Sequence, residues 1–223
     1  MNLSSSALKR LNVALFLGAA AAFAAAPSAH ADVIYTNLTA TPLGIANSID
    51  GIYLNVVTGV SGSTGAAVAG WDLSAYNNNA GLTFYGAASP SGIIATGTPG
   101  TGAVATALSF GALISSSGQF NQFQTKGFEF QTGGMNYLGF RFLNESTGAQ
   151  NYGWLLINSS PGAGLNVGFP ASILGYAYEN TGASILAGQT SATPVPEPAT
   201  YALFGLAFAG AAGLSAWRRR RTA

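Results

Sequence analysis

"YLGFRFL" at residues 137–143 is the stretch on which the fold turns. Its side chains alternate, so that Leu138, Phe140 and Phe142 fall on one face and Tyr137, Gly139 and Arg141 on the other. A period of two belongs to a β-strand, and a single apolar face belongs to an antiparallel sheet with a core on one side. The Phe face is expected to point inward.

Clusters of the same kind recur on both sides of it. Each is four to eight residues long, rich in β-branched or aromatic residues, and bounded by Gly, Asn or Pro. They are "VIYTNL" 33–38, "GIYLNVVT" 51–58, "LTFYG" 82–86, "GIIAT" 92–96, "AVATALSF" 103–110, "KGFEFQ" 126–131, "YGWLLIN" 152–158, "ILGYAYE" 173–179 and "SILA" 184–187. Between residues 32 and 192 no window of a dozen residues sustains helical periodicity. Short strands separated by Gly-rich turns predict an all-β domain over 32–187, an antiparallel β-sandwich or jelly-roll-like arrangement. A β-helix is the alternative, but no fixed-period repeat supports it. Phe128, Phe130, Leu138, Phe140, Phe142 and Trp154 are expected in one core. Arg141 is expected to pair with Glu179 or Glu129 across neighbouring strands.

The ends have a different character from the middle. Of the eight basic residues, six lie at Lys9, Arg10 and Arg218 to Arg221. "MNLSSSALKR" followed by "LNVALFLGAAAAFAAA" and "PSAHA" has the basic, apolar and small-residue order of a secretory signal peptide over 1–31. Ala29 and Ala31 form the A-x-A site, with cleavage expected after Ala31. His30, the single histidine, then leaves with the peptide. At the other end, 188–198 reads as a flexible linker and 199–217 carries no charge. As a helix the latter spans roughly 28 Å, enough to cross a bilayer. Arg218, Arg219, Arg220 and Arg221 resist translocation, so the tail at 218–223 is expected in the cytoplasm and the domain outside.

"VPEPAT" at 195–200, the apolar span and the terminal Arg cluster resemble, in order and spacing, the PEP-CTERM sorting signal of Gram-negative bacteria. The resemblance rests on Val195, Pro196, Glu197 and Pro198 together with Arg218 to Arg221. It implies recognition by an exosortase, a membrane protease-transpeptidase that would cut near the Pro-Glu-Pro triplet and discard the helix. It also implies the general export machinery as partner, a transient stay in the inner membrane, and final delivery to the cell surface or extracellular matrix. Pro196 and Pro198 hold Val195 and Glu197 extended, the form a protease cleft takes. A second resemblance covers 137–188: "YLGFRF", "NYGWLLI" and "GYAYENTGASILAG" look like the C-terminal half of a recurrent, uncharacterised exported domain found ahead of such tails. It implies fold and export and carries over no catalytic residue.

The domain left after both ends are subtracted holds Lys126 and Arg141 against six carboxylates, a formal net charge of −4. A basic footprint for nucleic acid is absent. Without Cys or His there is no Ser-His-Asp triad, thiol nucleophile or His-ligated zinc, and no cofactor or metal is expected. Glu129 and Glu179 are the best pair for a carboxylate-based glycosidase, the alternative function. Pairing with Lys126 or Arg141, or plain solvation, is the simpler account of them. Asp50 and Asp72 could give oxygens to Ca²⁺, though no dense ligand run surrounds them and "NSIDG" at 47–51 reads as a turn. Trp71, Tyr76, Tyr152 and Trp154 could stack on sugar rings, with "WDLSAYNNN" at 71–79 supplying amides from a loop; the same rings would also serve as core. The expectation is an exported structural or adhesive protein, not an enzyme, with extracellular polysaccharide as a partner.

Overall fold

In a computed structural model of the chain, residues 32–192 are described except 88 and 101. The signal segment, the Pro-Glu-Pro motif, the apolar span and the Arg tail lie outside the described residues. Among those that are described, no helix is long and apolar enough to cross a membrane. The strands are β1 (Val33–Asn37), β2 (Leu43–Ile45), β3 (Ile52–Leu54), β4 (Ser61–Gly62), β5 (Leu73–Asn77), β6 (Leu82–Gly86), β7 (Gly92–Thr96) and β8 (Val104–Ala105). There follow β9 (Ala107–Leu108), β10 (Leu113–Ile114), β11 (Phe120–Asn121), β12 (Phe123–Lys126), β13 (Gly134–Asn144), β14 (Ala149–Ser159), β15 (Ala171–Glu179) and β16 (Ile185–Leu186).

The expected all-β class is present, but the pairing does not separate into the two sheets of a sandwich. Fourteen strands join one curled path, β1-β15-β14-β13-β7-β8-β12-β6-β5-β3-β4, with β2, β9 and β11 on its flanks. The pairing is antiparallel apart from a single parallel contact of Lys126 with Val104, so the sheet is mixed. Strand β7 is the reason for continuity, because it pairs with β13 on one side and β8 on the other. A separate ribbon is made by β10 and β16.

"YLGFRFL" lies inside β13, which pairs with β14 through eleven consecutive partners. Phe140 stands opposite Gly153, and a Cβ added there would meet the Phe140 ring at 2.5 Å and the Ala177 carbonyl at 2.5 Å. The glycine makes room for the ring. Leu138, Phe140 and Phe142 accordingly enter a core shared with Ile52, Leu54, Leu73 and Phe84 from the far half of the sheet. Phe142 meets Tyr178 edge-on at 5.2 Å, and Phe84 meets Phe130 at 5.0 Å.

Two members of the expected core lie elsewhere. "KGFEFQ" is not one strand: β12 ends at Lys126, and Phe128–Phe130 form a 3-10 turn closed by the Phe130 and Gln131 N–H groups on the Gly127 carbonyl. In a turn the two phenylalanines diverge, leaving Phe128 48% exposed and Phe130 fully buried. Trp154 is buried, but in a second core on the opposite face of β13–β15, with Val33, Tyr152, Ala177, Ile114 and Ile185. The β10–β16 ribbon supplies the cover for that face.

Truncating Phe140 to alanine is expected to cost about 3–5 kcal/mol, the range for a fully buried Phe. Phe128→Ala should change stability by no more than about 0.5 kcal/mol, as at an open surface. Urea denaturation of both variants measures the contrast, and similar losses would place Phe128 in the core after all.

Candidate functional site

Among the described residues, the outer face of β3, β5, β6 and β12 carries aromatics that stay partly exposed. Alternation drives Ile52, Leu54, Leu73, Ala75 and Phe84 inward and turns Tyr53, Ser74, Tyr76 and Tyr85 outward. Register then sets Tyr53, Ser74, Tyr85 and Gln124 in one row across the four strands. Ser74 is small and buried, so it forms a floor between taller rings. Trp71, just before β5, closes the row: its ring lies edge-on to Tyr53 at 5.0 Å and 6.0 Å from Tyr85. Gly65 lets the indole in, since a Cβ there would meet Trp71 Nε1 at 2.8 Å. Phe123, at φ 64 and 52% exposed, extends the row 5.8 Å beyond Tyr85. An aromatic residue in the left-handed region is held there against its preference.

Tyr53, Trp71, Ser74, Tyr76 and Tyr85, with Ile49, line an open trough of about 350 Å³. Its lining contains no charged residue. Among the described residues, the hydroxyls of Tyr53, Ser74, Tyr76 and Tyr85 and the indole N–H of Trp71 make no hydrogen bond to protein, and none of them is sealed from solvent. The Tyr76 phenol titrates above its ordinary value, chiefly through burial and then through the phenols of Tyr85 and Tyr53 beside it.

Trp71 and Tyr76 thus line one trough, but the other two expected members of the face do not join them. Tyr152 and Trp154 are 4% and 2% exposed and belong to the second core. Trp154 Nε1 donates to the Gln189 carbonyl at 3.0 Å, and Tyr152 Oη accepts from Gln150 Nε2 at 2.6 Å. Their polar handles are occupied. "WDLSAYNNN" is not a loop of free amides either, since most of it is β5. Asn77 Oδ1 accepts the N–H groups of Asn79 and Gly81, and its Nδ2 donates to the Leu165 carbonyl at 2.8 Å. Tyr53 and Tyr85 were the members missed, although the alternation of "IYL" and "LTFYG" marks both as outward.

The carboxylates also find other partners than those expected. Glu129 is exposed in the 3-10 turn and accepts the Ala107 N–H at 2.7 Å. Glu179, 1% exposed, accepts the N–H groups of Thr181 and Ala183 and the Thr181 hydroxyl. It folds the turn that sends the chain into β16. Arg141 pairs with neither. Its guanidinium lies over the Phe120 ring at 4.9 Å, and its Nε is buried without a partner among the described residues. A flat aromatic face takes the place of a carboxylate as the partner of this cation. Neither glutamate lines the trough.

Asp72 is buried, with its Oδ2 accepting the Val56 N–H at 2.8 Å. Nearby, Asn55 Nδ2 binds Glu145 Oε1 and the carbonyls of Ala69 and Gly70, tying the β13–β14 turn to the segment that leads into Trp71. Among the described residues no three acidic or histidine side chains converge as a metal site.

Comparison with known protein families adds the other end of the chain. Residues 194–221 match the PEP-CTERM protein-sorting motif. The chain carries an exosortase sorting signal. The match runs from just ahead of Pro196, Glu197 and Pro198 through Arg221, so it covers every residue on which the resemblance rested. The motif marks an exported protein that an exosortase sorts, with a transient membrane-anchored stage. No curated protein and no solved structure matches this chain.

Burial, with a smaller push from the Glu145 charge, raises the Asp72 carboxyl from 3.8 to about 8, against the lowering effect of the Val56 N–H. The folded chain therefore keeps a proton that the unfolded chain releases between about pH 4 and pH 8. Stability contributed by this group is complete below the lower value and is lost as pH rises through that window. Asp72→Asn keeps an acceptor for Val56 and removes the titration, so its advantage over the parent should be small at pH 4 and grow up to pH 8. Thermal unfolding from pH 4 to 9 measures this, and parallel curves would show that Asp72 is ionised in the fold.

Proposed function

We propose that the protein is a structural or adhesive component of the cell surface or extracellular matrix, such as that of a biofilm, which contacts polysaccharide through the Trp71 trough. The observation that carries the sorting half is the motif at 194–221. The chain leading to it is held by the fold as far as Gln189, whose N–H donates to Leu186 and whose carbonyl accepts from Trp154. Six residues then separate Gln189 from Pro196. Extended, they span roughly 20 Å, a tether along which a membrane protease can reach the Pro-Glu-Pro triplet while the domain stays folded.

What supports the contact half is the chemistry of the trough. Flat rings cover the CH faces of sugars, and free hydroxyl and N–H groups around them can meet sugar hydroxyls. Lacking His, Cys and a pair of acids in the trough, the mature chain is better suited to hold such a ligand than to cleave it.

Processing gives the test. In the native host, the mature protein should have lost Met1–Ala31 and everything after the Pro-Glu-Pro region, and should fractionate outside the inner membrane. Replacing Pro196, Glu197 and Pro198 by alanine should leave export intact and trap the domain, facing outward, on its membrane segment. Intact-mass measurement distinguishes the cases: a native product that keeps Arg218 to Arg221 would refute processing.

A further inference from the structure

From the same trough, and resting on the reading that it contacts polysaccharide, we infer the class of chain it takes: an extended, neutral, equatorially linked glycan lying across the strands. Charge comes first. The lining has no ionisable group besides phenols, and the domain around it is net negative. An anionic polysaccharide would meet no cation inside the trough and would be repelled over the distance of a Debye length. By register Lys126 shares the row of Tyr76 and Thr83, two strands from Tyr76, and its Nζ sits over Phe128 at 5.6 Å.

Shape comes second. Tyr53 and Tyr85 are two strands apart in one row, roughly 10 Å at the usual strand spacing. Trp71 stands beside both, and Phe123 continues the row past Tyr85. Rings repeated at intervals along one face of the sheet match a ligand that presents apolar faces at regular intervals. Equatorial linkage produces such a ribbon, whereas axial linkage coils the chain away from the sheet. The unengaged polar groups point the same way. Phenols, a serine hydroxyl and an indole N–H offer neutral donors and acceptors suited to sugar hydroxyls. Had the ligand been a carboxylated sugar, a guanidinium would be the fitting receptor. Arg141 is instead committed to Phe120 in the second core.

Affinity electrophoresis of the exported protein tests this with hydroxyethyl cellulose, dextran and alginate in the gel, at low and high salt. Retardation is expected in hydroxyethyl cellulose at both salt levels, with little in dextran or alginate. Trp71→Ala and Tyr85→Ala should each weaken it by about three- to tenfold, the loss of one stacked ring. Tyr53→Phe, which keeps the ring and removes the hydroxyl, should cost less. Fluorescence of the buried Trp154 reports whether each variant is folded, so an unfolded variant is set aside and the other two decide. Binding to alginate alone, abolished by salt yet lost in Trp71→Ala, would overturn the neutral class and leave polysaccharide contact standing. Retardation in dextran equal to that in hydroxyethyl cellulose would overturn the ribbon geometry. Retardation unchanged in all three variants would overturn the trough itself, and absence of binding to every glycan would remove the contact reading with it.

Discussion

Phe140 lies across Gly153, and the packing of the domain is arranged around that contact. The glycine brings β13 and β14 together with a full ring between them and the opposite half of the sheet. Because the pairing runs through eleven residue pairs, fixing one pair fixes the facing of all the others. Leu138 and Phe142 must then point to the shared core, and Tyr137 and Arg141 to the far side. β15 continues the register, bringing Tyr178 against Phe142 inside and Ala177 against Trp154 outside. A shift of one residue would bury Arg141 among phenylalanines.

A consequence follows for the outside of the same strands. Tyr152, Trp154 and Tyr137 form an aromatic surface, and the segment from β16 to Gln189 covers it together with β10. Glu179 turns the backbone, β16 pairs with β10, and Gln189 accepts the Trp154 N–H. Among the described residues, the aromatic face of β3, β5 and β6 receives no such cover. The described residues thus hold two sets of outward aromatics, one roofed by β10, β16 and Gln189 and one left open as a trough. The segment that closes the fold also leads, in sequence, to the exosortase motif at 194–221.

Much of this was legible in the sequence because alternation is a local signal. "LTFYG" and "GIIAT" are strands at the bounds their residues suggest, and "YLGFRFL" faces as its alternation requires. The sorting motif was legible for a different reason, since it is contiguous and read by a receptor rather than by a fold. What escaped depends on distant partners. "KGFEFQ" alternates like a strand, yet Gly127 lies so close to the Leu82 carbonyl, 2.5 Å from where its Cβ would be, that the chain turns there. Trp154 and Trp71 have similar neighbours in sequence, and only the β16 cover, thirty residues on, makes one a core residue and leaves the other accessible. Arg141 was expected to seek a carboxylate, but Glu179 had nearer partners in the N–H groups of its own turn. One curled sheet rather than two was likewise invisible, because it depends on β7 pairing on both sides.

The division between a roofed and an open aromatic face is the central claim, and acrylamide quenching of single-tryptophan variants tests it most directly. With Trp217 and one of the other two tryptophans replaced by phenylalanine, the chain that retains Trp71 should be quenched readily and should emit toward the red. The chain that retains Trp154 should be shielded and emit toward the blue, until unfolding makes the two alike. Equal quenching of both in the native state would contradict the account, because it would mean that the C-terminal segment does not cover its face or that the trough is closed.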